Sequence, residues 1–165
     1  MDLKSINELS DDAVAEMFRR CCGSETWVKK MLEAKPFASG EQLFDWSDKA
    51  FSELTRADWM DAFAAHPKIG DIKSLKEKYG ATKNWAQNEQ AGATGISDQV
   101  AEELASCNEK YLQKFGYIFI VCATGKSADQ MLAMLKDRLD NEPDAELPIA
   151  GREQQKITHL RLEKL

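Results

Sequence analysis

The chain lacks any apolar stretch near 18 residues; the run from Tyr117 to Ala123 is far too short to span a bilayer, so no membrane association is expected. No charged-then-apolar leader is seen, and a secretory signal is not expected. Histidine is scarce, with only His66 and His159, 93 positions apart. The four cysteines, Cys21, Cys22, Cys107 and Cys122, form no C-x-x-C pair. With so few ligand-spaced residues, no zinc or other metal site is expected. Adjacent Cys21 and Cys22 do not suit a disulfide framework, so reduced thiols in a cytoplasm are expected. The ending Glu163-Lys164-Leu165 is not the Ser-Lys-Leu peroxisomal address, which agrees with that location. A basic excess is also lacking. Lys and Arg number 22 against 28 Asp and Glu, the net charge is -6 and the pI about 5.1, which argues against nucleic acid as a partner. The local exception is Lys68 to Lys83, with five lysines against Asp71 and Glu77. It reads either as a solvated helix face or as a positive rim that draws in a small anion.

What the chain does have is helical periodicity. At 165 residues it is long enough for one domain with one core, expected over residues 1–165. Ser10 with Asp11 and Asp12 forms an N-cap and acidic first turn. Ala13, Val14, Met17, Phe18, Cys21 and Cys22 then recur on one face until Gly23. Glu25 to Lys35 gives a second run, ended by Pro36, and Leu43 to Leu54 a third. Thr55 with Asp58 makes a capping box, using Asp in place of Glu, for a helix that ends at His66. A lysine-rich helix over Ile69 to Tyr79 and a short one over Asn84 to Ala91 follow. Ser97 opens a long helix with Val100, Leu104, Cys107, Tyr111 and Phe115 on one stripe, closed by Gly116. Tyr117 to Ala123 is continuous and apolar, either a buried extended segment or a buried helix turn. Ser127 starts another helix, Asn141 to Pro148 reads as a polar loop, and a last helix runs from about Ile149 toward Leu165. The fold class expected is all-α, a single compact helical domain of about eight helices with one short extended apolar segment.

Four places carry polar chemistry. His66 stands directly before Pro67, which disfavours the helical conformation at the preceding residue, so an apolar helix ends at an imidazole. Such a side chain is packed on one side and open on the other, an arrangement that suits a general acid or base as well as a structural helix end. Asn84 to Gly92 offers the Glu89 carboxylate and several amides, as a substrate edge or as a solvated helix. The backbone of the 117–123 segment, if extended, must find hydrogen-bond partners, and a polar ring would supply them. Arg161, between Leu160 and Leu162, is either snorkelling past the core edge or binding a carboxylate. His159, two positions away, should not share its face and reads as a surface or satisfied residue.

In order and spacing these segments resemble the 2-oxo-4-hydroxy-4-carboxy-5-ureidoimidazoline (OHCU) decarboxylase family of urate degradation. The resemblance rests on Pro36-Phe37, on His66-Pro67-Lys68-Ile69-Gly70, and on Glu89-Gln90-Ala91-Gly92. It continues through Lys114-Phe115-Gly116-Tyr117-Ile118-Phe119-Ile120-Val121-Cys122-Ala123 and closes with Ile157-Thr158-His159-Leu160-Arg161-Leu162. It implies an all-α homodimer acting on a small-molecule carboxylate with no cofactor. It also implies His66 as the catalytic imidazole beside Pro67, with Glu89 and Arg161 as further catalytic residues. Substrate contacts would come from Gln90 and from the backbone of Phe119, Ile120, Val121, Cys122 and Ala123. The family serine three residues before the glutamate is here Ala86, so one hydroxyl contact at that substrate edge is absent. A helical interaction module, or another enzyme of ureide metabolism such as a hydrolase, is the alternative reading.

Overall fold

A computed structural model describes residues 2–67 and 97–165. The two helices expected over Ile69–Tyr79 and Asn84–Ala91 lie outside these residues. Among the described residues there are eight α-helices and no strand: α1 (Leu3–Glu8), α2 (Asp11–Cys21), α3 (Glu25–Glu33), α4 (Gly40–Ser52), α5 (Arg56–Ala64), α6 (Asp98–Phe115), α7 (Ala128–Leu139) and α8 (Pro143–Leu162). None of them is long and apolar enough to cross a membrane. The all-α expectation therefore holds. The 117–123 segment is neither helix nor strand, which excludes the helix turn that periodicity left open.

The chain divides into two compact units. One comprises Met1–His66, Ile120–Cys122 and Pro148–Leu165. Its helices start where the hydroxyl residues predict. Ser10, Ser24, Ser39 and Thr55 each accept a hydrogen bond from a first-turn amide of α2, α3, α4 and α5. Each cap contributes about 1 kcal/mol. An aromatic run joins the four helices. Phe18 meets Trp27 edge-on at 5.8 Å, Trp27 stacks on Phe51 at 5.7 Å, Phe51 on Trp59 at 5.4 Å, and Trp59 reaches Phe63 at 5.9 Å. Such pairs add about 0.5–1.5 kcal/mol each beyond the area they bury. The run terminates at Phe63, three residues before the helix-end imidazole, and so fixes where that end stands. Helix α1 has no long periodic stripe and was not legible. It is held by fully buried Ile6 and by Asn7, whose amide both donates to the Phe37 carbonyl (2.8 Å) and accepts from the Phe37 N–H (2.9 Å).

The second unit comprises Pro67–Phe119 and Ala123–Leu147. Ala101, Leu104, Cys107, Tyr111 and Phe115 of α6, with Met131, Leu132 and Leu135 of α7, form its buried face. Gly116 closes α6 with φ +81°, the left-handed conformation that glycine adopts without a steric cost. Within this unit lies a carboxylate of the 141–148 segment, whose composition reads as a polar loop. Glu146 is fully buried, and it accepts from the Tyr111 hydroxyl (2.5 Å), Arg138 Nε (2.6 Å) and Asn141 Nδ2 (2.8 Å).

That carboxylate explains a correction. Asn141 to Pro148 is not a loop throughout: α8 begins at Pro143 and runs through Pro148. Pro143 suits the first helical position, where its missing N–H has no partner to lose. Pro148 removes one intrahelical bond further in. The charge-assisted bonds on Glu146 hold the first turn in place and offset that loss.

Gly23, in the turn between α2 and α3, marks where α5 ends. A Cβ there would stand 2.3 Å from the Ala65 Cβ. Neither atom is the end of a flexible side chain, so Gly23→Ala must displace the end of α5. A loss of about 1–3 kcal/mol is expected in thermal or chemical denaturation. Adding Ala65→Gly reopens the space, and the double variant is expected to be more stable than Gly23→Ala alone.

Candidate active site

Thr55 and Asp58 complete the predicted capping box, Thr55 accepting from the Asp58 N–H and Asp58 accepting from the Thr55 N–H. Helix α5 then runs to Ala64, with Ala62 and Phe63 fully buried in its last turns. The His66 N–H still donates to the Phe63 carbonyl at 3.2 Å, a tight final turn. Pro67 has no N–H to continue it. The imidazole leaves the helix half-buried, and Pro67 is exposed.

The ring is not loose. His66 Nε2 lies 2.6 Å from Gln154 Oε1 of α8. Gln154 Nε2 donates to Thr158 Oγ1 at 3.2 Å, and the Thr158 hydroxyl donates to the Cys21 carbonyl at 3.3 Å. Gln154 and Thr158 are both 0% exposed. One turn further along α8, Arg161 Nη1 donates to the carbonyls of Arg20 and Cys21, each at 3.2 Å. Those carbonyls end α2 and lack partners within their own helix. A cation there is also favoured by the negative end of the helix dipole.

Burial, which penalises the imidazolium, holds the His66 pKa below its ordinary 6.5. The bond to Gln154 opposes that shift, and the Arg161 charge adds to it. The ring is therefore neutral at pH 7. Cys21 and Cys22 have their thiols pushed up to about 11, by burial above all, and carry no thiolate at neutral pH. All four cysteines are buried, and none is in a disulfide.

Among the predicted site residues, His66, Ile120, Val121, Cys122 and Arg161 fall in the first unit. His66 and Arg161 are close enough for the guanidinium charge to act on the ring. Ile120 and Cys122 are buried and Val121 is half-buried. The Cys122 N–H donates to Glu153 Oε2 at 2.7 Å, so this amide is held by a carboxylate of α8. Lys156 pairs with the other oxygen of Glu153. Phe119 and Ala123 belong to the second unit, where half-buried Phe119 meets the Tyr111 ring at 5.3 Å and lies under the Arg138 guanidinium at 4.6 Å. Ala86, Glu89 and Gln90 lie outside the described residues. His159 is satisfied as expected, 2.8 Å from Asp48 and against the Phe44 ring.

Gln154, Thr158 and Glu153 were not singled out from the sequence. A signal for two of them was there. Ala150, Gln154, Thr158 and Leu162 recur every fourth residue, and all four are 0% exposed. Polar residues at two positions of an inward stripe must be bonded to something. Glu153 gave no such signal, since only the tertiary structure brings Cys122 to it.

One neutral imidazole beside a fixed guanidinium, on a helical scaffold with no thiolate nucleophile at hand, suits an enzyme that moves a proton on an anionic substrate. The family model for OHCU decarboxylase matches residues 7–163, and the chain belongs to that family of carboxy-lyases. It is 39% identical over 145 residues to the uric acid degradation bifunctional protein TTL of Arabidopsis thaliana. That match covers 88% of this chain but only 45% of the Arabidopsis protein. It is 30% identical to the 2-oxo-4-hydroxy-4-carboxy-5-ureidoimidazoline decarboxylase of Xenopus laevis, over 98% of this chain and 93% of that one. A crystal structure of an OHCU decarboxylase in the presence of (S)-allantoin superposes with a TM-score of 0.72 at 37% identity, covering 94% of this chain and 97% of that one. The family membership sets aside the interaction module.

Glu153→Ala removes the acceptor of a buried N–H, which costs about 1–3 kcal/mol. Hydrogen–deuterium exchange at the Cys122 amide is expected to quicken accordingly. Unchanged exchange would show that the carboxylate does not hold this segment.

Proposed function

We propose that this chain decarboxylates 2-oxo-4-hydroxy-4-carboxy-5-ureidoimidazoline to (S)-allantoin in urate degradation, without a cofactor, with His66 as general acid and base. The observation that carries the reading is the neutral, half-buried His66 ring tied to Gln154 in a member of this family. The relative crystallised in the presence of (S)-allantoin supports the product.

The substrate supplies its own electron sink. The bond from the ring carbon to the carboxylate breaks and CO2 leaves. The electron pair moves toward the adjoining carbon and its C=N bond, and the ring nitrogen takes up one proton. The hydroxyl on the decarboxylated carbon must then become a carbonyl, and the neighbouring carbon must gain a proton on one face. His66 takes the hydroxyl proton and returns it to that carbon. Neutral imidazole suits both halves because its ordinary pKa lies near the working pH. In this reading Arg161 faces the departing carboxylate or a neighbouring carbonyl. Glu89 accepts from ureido or ring N–H groups, and Gln90 and the backbone of Phe119 to Ala123 hold the ring. Asn84, Gln87 or water takes the place of the hydroxyl that Ala86 lacks. The reading carries with it a homodimer working in the cytoplasm.

The test uses freshly generated substrate, because it decays unaided, and follows both its rate of decay and the optical purity of the allantoin. His66→Ala is expected to lower kcat/KM by about 10²–10⁴-fold with circular dichroism unchanged. Near-normal activity in that variant would sink the assignment. The pH dependence has a definite sign. The reaction needs the ring unprotonated at the start, and the folded-state pKa is lowered. On the acid side kcat/KM should therefore rise with pH, with the midpoint of the rise below about pH 6.5. An acid limb centred above that value, or one that persists in His66→Ala, would assign the base to another group.

A further inference from the structure

We infer that Gln154 is a positioning residue which, through Thr158 and the Cys21 carbonyl, fixes the proton of neutral His66 on Nε2 and leaves Nδ1 as the nitrogen that exchanges protons with the substrate. The inference rests on the role proposed above for His66, and it comes from the direction of each hydrogen bond.

The Cys21 carbonyl has no hydrogen, so the bond at 3.3 Å to Thr158 Oγ1 must use the hydroxyl hydrogen. A hydroxyl has only one. Toward Gln154, at 3.2 Å, the Thr158 oxygen can then only accept, which turns the NH2 of the amide to Thr158. The opposite end of the amide, Oε1, is left 2.6 Å from His66 Nε2, and a carbonyl oxygen can only accept. The hydrogen in that bond belongs to His66. A neutral imidazole carries one N–H, so Nδ1 bears a lone pair.

The chain of donors is anchored and enclosed. Gln154 and Thr158 are 0% exposed, so water cannot take over a reversed orientation. Arg161 Nη1 meets the same Cys21 carbonyl at 3.2 Å and holds the end of α2 in place. Reversing the amide would turn the Thr158 hydroxyl away from Cys21 and leave Nε2 as the lone-pair nitrogen. Thr158 is linked to the ring through Gln154, and in this way it decides which ring nitrogen is basic.

The experiment reads the tautomer directly. Long-range ¹H–¹⁵N spectra of the full chain labelled with ¹⁵N-histidine, above the His66 titration, give the protonated nitrogen of each neutral ring. There are two histidines, and His159→Gln identifies which signals belong to His66. The wild-type protein is expected to show the Nε2–H form of His66. An Nδ1–H form, or an even mixture, would overturn the inference. Thr158→Val removes the hydroxyl and frees the amide to turn. His66 is then expected to show both tautomers, with kcat falling in proportion to the fraction displaced and KM unchanged. Thr158→Ser keeps the hydroxyl and should keep both the Nε2–H form and the rate. A pure Nε2–H ring in Thr158→Val would show that Thr158 does not set the amide. A mixed tautomer with an unchanged kcat would leave the lock standing and count against His66 as the acid and base. The two failures are thereby separated.

Discussion

The constraint on which the first unit depends is that α8 buries polar groups along its inward stripe. Gln154 and Thr158 occupy positions that Ala150 and Leu162 fill with apolar atoms, all four being fully enclosed. An amide left unbonded there would cost about 1–3 kcal/mol. It is satisfied only if His66 stands at the end of α5 and the Cys21 carbonyl stands at the end of α2. Three chain segments far apart in sequence must arrive together for one side chain to be satisfied. The aromatic run from Phe18 to Phe63 packs four helices together, but hydrophobic contact has no direction. The hydrogen bonds through Gln154 supply the direction.

The same helix carries two buried carboxylates with separate duties. Glu146 is paired with Arg138 and further bonded by Tyr111 and Asn141. A buried ion pair of this kind is retained at a desolvation cost, and removing either partner strands the other. Its effect is local: it holds the first turn of α8 despite two prolines. Glu153 accepts from the Cys122 N–H and so governs the irregular segment that the sequence marked only as apolar. Tyr111 responds to the first arrangement, with burial, and then the bond to Glu146, holding its hydroxyl protonated far above the ordinary range.

Most of the helices were readable because each signal is local. A serine or threonine at the cap, an apolar face, and a glycine or proline at the end lie within one segment, and the caps at Ser10, Thr55, Ser97 and Ser127 all formed. What failed did so for want of locality. Helix α1 has six residues and no stripe; Asn7 and Phe37 hold it from 30 positions apart. The start of α8 looked like a loop because Pro143 and Pro148 are loop residues by composition, and only Arg138 and Tyr111 reveal why a helix begins there. At the candidate site, His66 announced itself through the proline after it. Gln154 did not, since its meaning lies in a partner 88 positions away. Arg161 was legible as an arginine out of place, but its two carbonyl partners were not.

Those partners bear on how a decarboxylase handles its own substrate. A cation that grips the carboxylate hard stabilises the ground state, and the grip is lost as CO2 departs, so binding gained there does not lower the barrier. Arg161 has one of its nitrogens bonded to the Arg20 and Cys21 carbonyls, at the negative end of the α2 dipole. Part of its field is already answered by the protein. What remains still adds to the lowering of the His66 pKa that burial chiefly causes. In the proposed reaction that is a useful division: the guanidinium orients an anion without holding it tightly, and it adds to the burial that favours the neutral imidazole. The carbonyl of Cys21 joins the two effects. It takes a hydrogen bond from Arg161 and another from Thr158, so the group that tempers the cation also begins the series of bonds that points the basic nitrogen of His66.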